Sequence, residues 1–256
     1  MKNTILLFAS LFLSIFSVSA QDMTLDEVLE NHFETIGQDK LSEVQTVKMT
    51  GKQMMQGMEF PFTVYVKRPG KMRVEVEIQG NTMVQAFNGE EGWMINPFSG
   101  SMDPQDVNED QLKQFKEQSD IDGKLYNWKE KGYTVELIGK EDMEGTEVYK
   151  IKLTEKPENE GEEGDITYYF IDADSFVILK ATAKRTVQGQ QIEIDNYQSN
   201  YKQIDGIAFA HSMETKMNGN TISQMTIEDV KLGDDIDDVI FERPVKKEET
   251  NTTENK

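Results

Sequence analysis

From Phe60 to Pro97 the chain alternates apolar and polar residues, and this alternation restricts the fold more than any other feature. Phe60, Phe62, Val64 and Val66 make up the apolar set of the first run. Met72, Val74, Val76 and Ile78 make up that of the second, with Arg73, Glu75, Glu77 and Gln79 between them. A period of two is that of a β-strand with one dry and one wet face. Pro69-Gly70 provides a turn between the runs, in which Gly70 can take the positive φ of a type II turn. Asn88-Gly89 is a type I′ pair that would close the next two strands. The stretch is expected to fold as an antiparallel meander with a continuous apolar face, and alternation turns Arg73 away from that face.

Helical signals flank the meander. Thr24-Leu25-Asp26-Glu27 is a capping box with Met23 and Val28 at the staple positions. Leu25, Val28, Leu29, His32, Phe33 and Ile36 share one helical face, and Gly37 ends the run. His32 reads as a packed residue, since no second ligand sits at helical spacing. Val44 to Met55 is a strand candidate and Phe98 to Ser101 a loop. Asn108 to Ser119 forms a second capped helix, with Val107 and Leu112 as its staple and Phe115 as the only further apolar position. So thin an apolar edge suits a connector or a lid.

A short polar helical run, Gly123 to Lys131, carries Trp128 and leads into a second meander. Strands are expected at Tyr133 to Glu141, Thr146 to Thr154, Ile166 to Asp172, Phe176 to Val187, Gln191 to Tyr201, Ile207 to Met217 and Thr221 to Val230. Turn signals at Glu144-Gly145, Asp172 to Ser175, Gln188-Gly189, Asp205-Gly206 and Asn218-Gly219 separate them. About eleven strands of this length indicate an all-β sandwich or barrel. A barrel of that size has room inside for helices or for a bound apolar ligand, although an ordinary two-layer core accounts for the pattern too. Eight methionines (49, 54, 55, 58, 72, 83, 94, 102) cluster around the first meander. Flexible thioethers suit either gap-filling or a surface that repacks around variable apolar ligands.

Composition narrows the function. Residues 1–20, with Lys2, an apolar run from Ile5 to Val18 and small residues before Gln21, read as a secretory signal peptide cleaved after Ala20. The net charge of −20 disfavours nucleic acid and anionic membranes as partners. The absence of cysteine excludes disulfides, thiol catalysis and lipidation at a cysteine. Glu158 to Asp165 and Asp234 to Asp238 lack the order of a calcium loop and read as solvated turns. No nucleophile elbow, zinc motif or phosphate loop is present, and His211-Ser212 on a strand would point to opposite faces. No catalytic residue, metal or cofactor is assigned. Residues 245–256 have almost nothing to bury and read as a disordered tail.

Five stretches, taken together, resemble the LolA-like periplasmic outer-membrane lipoprotein-sorting (lipoprotein carrier) family. They are Tyr65 to Glu75, Ala86 to Pro97, Tyr168 to Asp172, Tyr201 to Phe209 and Ile240 to Pro244. The resemblance implies a mainly β fold: an unclosed antiparallel barrel of about eleven strands over residues 21–244, with two or three helices covering its concave side. It also implies that lipid acyl chains are held between barrel and helices. On this sequence the lining would be Phe60, Phe62, Val64, Val66, Met72, Val74, Val76 and Ile78, with Trp93 near the rim and Leu112 and Phe115 on the lid. Family members latch the lid with an arginine, and Arg73 does not fit that role by alternation. The expected protein is a monomeric, non-enzymatic carrier in the periplasm. It would take lipoprotein or other lipid cargo from an inner-membrane donor to an outer-membrane acceptor. The alternative is a binding module that senses lipids or envelope stress without carrying them.

Overall fold

The computed structural model describes residues 23–157, 164–187 and 190–245. The expected leader, nearly all of the expected tail, most of the acidic stretch and the Gln188-Gly189 turn lie outside those residues. The first meander contains β1 (Thr46–Met55), β2 (Met58–Lys67), β3 (Lys71–Ile78), β4 (Asn81–Phe87), β5 (Gly92–Ile95) and the short β6 (Gln105–Asp106). The second contains β7 (Thr134–Met143), β8 (Thr146–Thr154), β9 (Ile166–Asp172), β10 (Ile178–Val187), β11 (Gln190–Ile204), β12 (Ile207–Met217) and β13 (Asn220–Leu232). The count is thirteen where about eleven were expected; β6, at two residues, is too short to show alternation.

All thirteen strands form one antiparallel sheet in the order β6-β5-β4-β3-β2-β1-β13-β12-β11-β10-β9-β8-β7. Each meander zips up locally, and the pairing of β1 with β13, Val47 opposite Leu232, joins the two. The sheet is unclosed, with β6 and β7 as its two edges. These strands are consecutive in the chain, so residues 107–133 must pass from one edge to the other. That crossing segment and the N-terminal helices supply the cover.

Helix α1 (Leu25–Ile36) has the expected capping box between Thr24 and Glu27 and ends at Gly37 in the left-handed conformation. A second helix, α2 (Gln38–Glu43), follows at once, and its single turn and a half carried no readable periodicity. Helix α3 (Glu109–Gln118) starts at Asn108, whose side chain and that of Gln111 form the second capping box. The run from Gly123 to Lys131 is a series of turns instead of the expected helix, with Asn127 in the left-handed region. Glu144-Gly145, Asp205-Gly206 and Asn218-Gly219 are tight turns with both residues at positive φ, as their sequences demand. Asn88-Gly89 differs: the Asn88 side-chain oxygen accepts from the amides of Glu90 and Glu91, so a four-residue loop replaces the type I′ pair.

The last described residues cross the convex face of β1–β5 as a strap. Lys67 donates to Ile236 O at 2.6 Å, and the Asp238 carboxylate meets Lys67 at 2.7 Å and Lys71 at 2.9 Å. Those two ammonium groups hold the Asp238 carboxyl below its ordinary range. Phe241 is fully buried under the strap.

Candidate functional site

Strand register assembles the concave face into transverse rows, because directly opposed residues share a face. One row runs Phe87–Met72–Val66–Val47–Leu232, and the next runs Gln85–Val74–Val64–Met49–Val230. A third runs Met83–Val76–Phe62–Gly51–Ile227, and beyond it Phe60, Gln53, Met225 and Met213 lie in line. Met58 opposite Met55 ends the series. Phe60, Phe62, Val64, Val66, Met72, Val74, Val76 and Ile78 thus share one face. The ring of Phe62 lies over Gly51, where an added Cβ would stand 3.0 Å from its tip.

Burial changes along these rows. Met72 and Val66, in the first row, are 1% and 6% exposed. Phe60, Ile78 and Met83 are half-buried, and Met55, Met58 and Met217 reach 42%, 52% and 37% exposure. One end of the apolar face is therefore shut and the other is open, and methionine dominates the open end. Met213, Met217 and Met225 come there from the second meander. Their alternation was readable in the sequence, but the alignment of Met213 and Met225 with Gln53 and Phe60 depends on the β1–β13 pairing.

The cover explains the shut end. Phe115, with Leu112 and Val107 beside it, packs on Met72 and Phe87. This approach needs Gly92, where a Cβ would come within 2.8 Å of Val107 and 3.2 Å of both Leu112 and Phe115. Beyond α3, Ile121 joins the apolar cluster at the centre of the face. Its neighbour Asp122 receives two bonds from Arg68, at 2.5 and 2.8 Å, and one from Gln38 Nε2 at 2.9 Å. Arg68 also donates to Val44 O and Leu41 O, tying the crossing segment to the end of α2. Sequence reasoning missed this residue because its partners lie in two segments remote from it, the end of α2 and Asp122; Arg68-Pro69-Gly70 reads only as a turn.

Two other expectations concern the opposite face. Arg73 does point away from the apolar set: it bonds Glu75 at 2.7 Å and Ile240 O at 2.8 Å on the convex side. Trp93, expected at the rim, is on that convex side too. It pairs with Ala86, is fully buried, and donates from Nε1 to Phe241 O at 2.9 Å. The strap, invisible to a strand-by-strand reading, gives an outward-facing tryptophan its dry environment. A cavity of about 710 Å³ lies beneath the strap, and another of about 850 Å³ lies between α1, α2 and Trp128.

The other half of the sheet is closed. Val28 and Leu29 of α1, with Leu125 from the crossing segment, pack on Tyr149, Ile151, Leu153 and Ile171. His32 belongs to this core: its Nδ1–H donates to Phe176 O at 2.7 Å, and burial pushes its pKa down against that bond. The second histidine, His211, shares the concave face of β12 with Phe209 and Met213 and is 3% exposed. Ser212 faces the other way, so the two form no catalytic pair. Among the described residues no group of His, Asp or Glu is placed to hold a metal ion. No helix among them is long and apolar enough to cross a membrane.

Comparison with known proteins places this geometry. No curated protein sequence matches the chain. A DUF1329 family protein from Desulfovibrio piger superposes with a TM-score of 0.59 at 13% identity, over 84% of this chain and 97% of its own. A domain described as an outer membrane lipoprotein-sorting protein from Vibrio parahaemolyticus gives 0.57 at 12%, over 84% and 97%. A LolA superfamily protein from Nitrosomonas europaea gives 0.56 at 16%, over 86% and 98%. A family model described as "Uncharacterized protein" matches residues 103–245, more than half of the sequence. The chain therefore belongs to that family, and its unclosed sheet with helices across the concave side is LolA-like.

Proposed function

We propose that this protein binds the acyl chains of lipids on its concave face and carries them through the periplasm toward the outer membrane, with lipoproteins as cargo. The observation that carries this reading is the open, methionine-lined end of an otherwise covered apolar face, where Met55, Met58 and Met217 are exposed. A large apolar surface left partly wet at the centre of a sheet marks a binding site more often than a packing fault. Unbranched thioethers let such a surface repack around chains of different length. The choice of cargo is supported by the lipoprotein-sorting description of one protein of the same fold.

Each buried CH₂ contributes roughly 0.8 kcal/mol, so one acyl chain supplies ample affinity without catalysis or a cofactor. Phe60, Phe62, Val64, Val66, Met72, Val74, Val76 and Ile78 are the proposed contact surface, and α3 with Leu112 and Phe115 is the proposed lid. The Arg68–Asp122 tie is its latch, in place of Arg73. Loading at the inner membrane and release to an outer-membrane acceptor would both require this cover to shift. The carrier acts as a monomer after signal cleavage at Ala20.

The test is to purify the mature protein from the periplasm without detergent and examine it by native mass spectrometry and organic extraction. Near-stoichiometric acyl chains are expected, and Val74→Glu should abolish loading. A protein that emerges empty and refuses added lipid would sink the carrier reading.

A further inference from the structure

The concave face holds one buried polar atom without a partner that bears on what the ligand must carry. His211 is 3% exposed, and its Nδ1 lies 2.8 Å from the carbonyl oxygen of Ile227. A carbonyl can only accept, so Nδ1 carries the proton, and in the neutral ring Nε2 is left as a pure acceptor. That Nε2 is buried and makes no hydrogen bond. Leaving a buried acceptor unmade costs more than a typical hydrogen bond contributes, so the atom calls for a donor.

The surroundings give the donor's direction. On one side of β12, Met213 faces Met225 of β13, which continues into the apolar rows. On the other side, β11 places Gln198 opposite Met213 and Lys202 opposite Phe209. His211 stands on the line where the apolar surface gives way to polar side chains. An amphiphile lying across this line would put its chain over β13, β1 and β2 and its head toward β11.

We propose that His211 is a specificity-determining residue of the lipid site, its Nε2 accepting a hydrogen bond from a hydroxyl or amide N–H in the ligand's head. This rests on the lipid-binding reading and adds to it a ligand class: acyl lipids with a donor next to the chain, favoured over donor-free esters, ethers and tertiary amides. The donor enters as Met213 and Met225 repack, which leaves the Nδ1 bond to Ile227 in place.

The experiment compares N-methylpalmitamide with N,N-dimethylpalmitamide, which share chain and carbonyl and differ in the N–H. The mature wild-type protein should prefer the N-methyl ligand by about threefold to tenfold, the worth of one hydrogen bond. His211→Phe should bring the two affinities together. The chain has two histidines, so ¹⁵N-imidazole spectra of the wild type provide a second readout that no folding defect can compromise. The Nε2 resonance of His211 should move with the N-methyl ligand and not with the dimethyl one. Equal affinities with an unmoved Nε2 would overturn the assignment and leave lipid binding intact. If neither amide binds the wild type, the assignment and the carrier reading fall together.

Discussion

The two halves of this sheet use the same backbone architecture for opposite ends. Over β7–β9, Ile151, Leu153 and Ile171 are fully buried under α1 and Leu125. Over β1–β4, with β13 beside them, Phe60, Val64, Val74, Ile78 and Met83 are only half-buried around a small set of buried neighbours. The closed half uses branched aliphatics and tyrosine, which hold one packing arrangement. Methionine dominates the exposed end of the open half, and its rotatable thioether tolerates many. Coverage therefore decides whether an apolar sheet face is shut as core or left open, and side-chain stiffness is matched to that coverage.

The sharpest test of the contrast is a truncation in the closed half. Ile151→Ala should cost about 3–4 kcal/mol in urea unfolding, since the covered site cannot collapse around the cavity. It should leave lipid affinity unchanged. Arg68→Met comes next: it leaves the Asp122 carboxylate partly buried with only Gln38 as partner, at a cost of about 2 kcal/mol. Hydrogen exchange should accelerate across residues 119–133 and in α2 and stay slow in β8 and β9. If protection fell evenly through the sheet, the cover would not be a separable unit.

Met55→Gln combined with Met58→Gln should change stability by no more than about 0.5 kcal/mol, because both side chains are already wet. Lipid affinity should nonetheless fall by about fivefold or more from the apolar area lost. An unchanged affinity would erase the functional half of the contrast.

The smallest effect is a pH dependence confined to the closed half. Burial holds the His32 imidazole below its ordinary value of about 6.5, so the unfolded chain accepts a proton that the folded chain refuses. The stability tied to this group is intact above that value and declines as the pH falls below it. His32→Gln should flatten the slope that sets in below about pH 6.5, as read from urea midpoints. An identical slope in the variant would place the dependence elsewhere.

Much of the local structure was legible beforehand, and particular residues show why. Thr24 and Asn108 cap their helices through side chains three residues away, and the alternation from Phe60 to Ile78 places eight apolar residues on one face. Asp205-Gly206 turns the chain with chemistry contained in two residues. The site was half legible for the same reason: its first-meander lining follows from period two. Trp93 was misplaced because alternation tells which residues share a face but not whether the opposite face is also covered.

By itself, then, the sequence determined caps, turns, strand phase and the apolar composition of the lining, all of which depend on neighbours within a few residues. It was tertiary structure that paired β1 with β13 and set Met213 and Met225 in line with Gln53 and Phe60, one row from Met55 and Met58. It alone also sent residues 107–133 across the concave side by placing β6 and β7 at opposite edges. Arg68 meeting Asp122, and Trp93 meeting Phe241, belong to the same class. These contacts join segments far apart in the chain. Their free energy comes from burial shared between remote partners, and neither partner carries a local signal of the other.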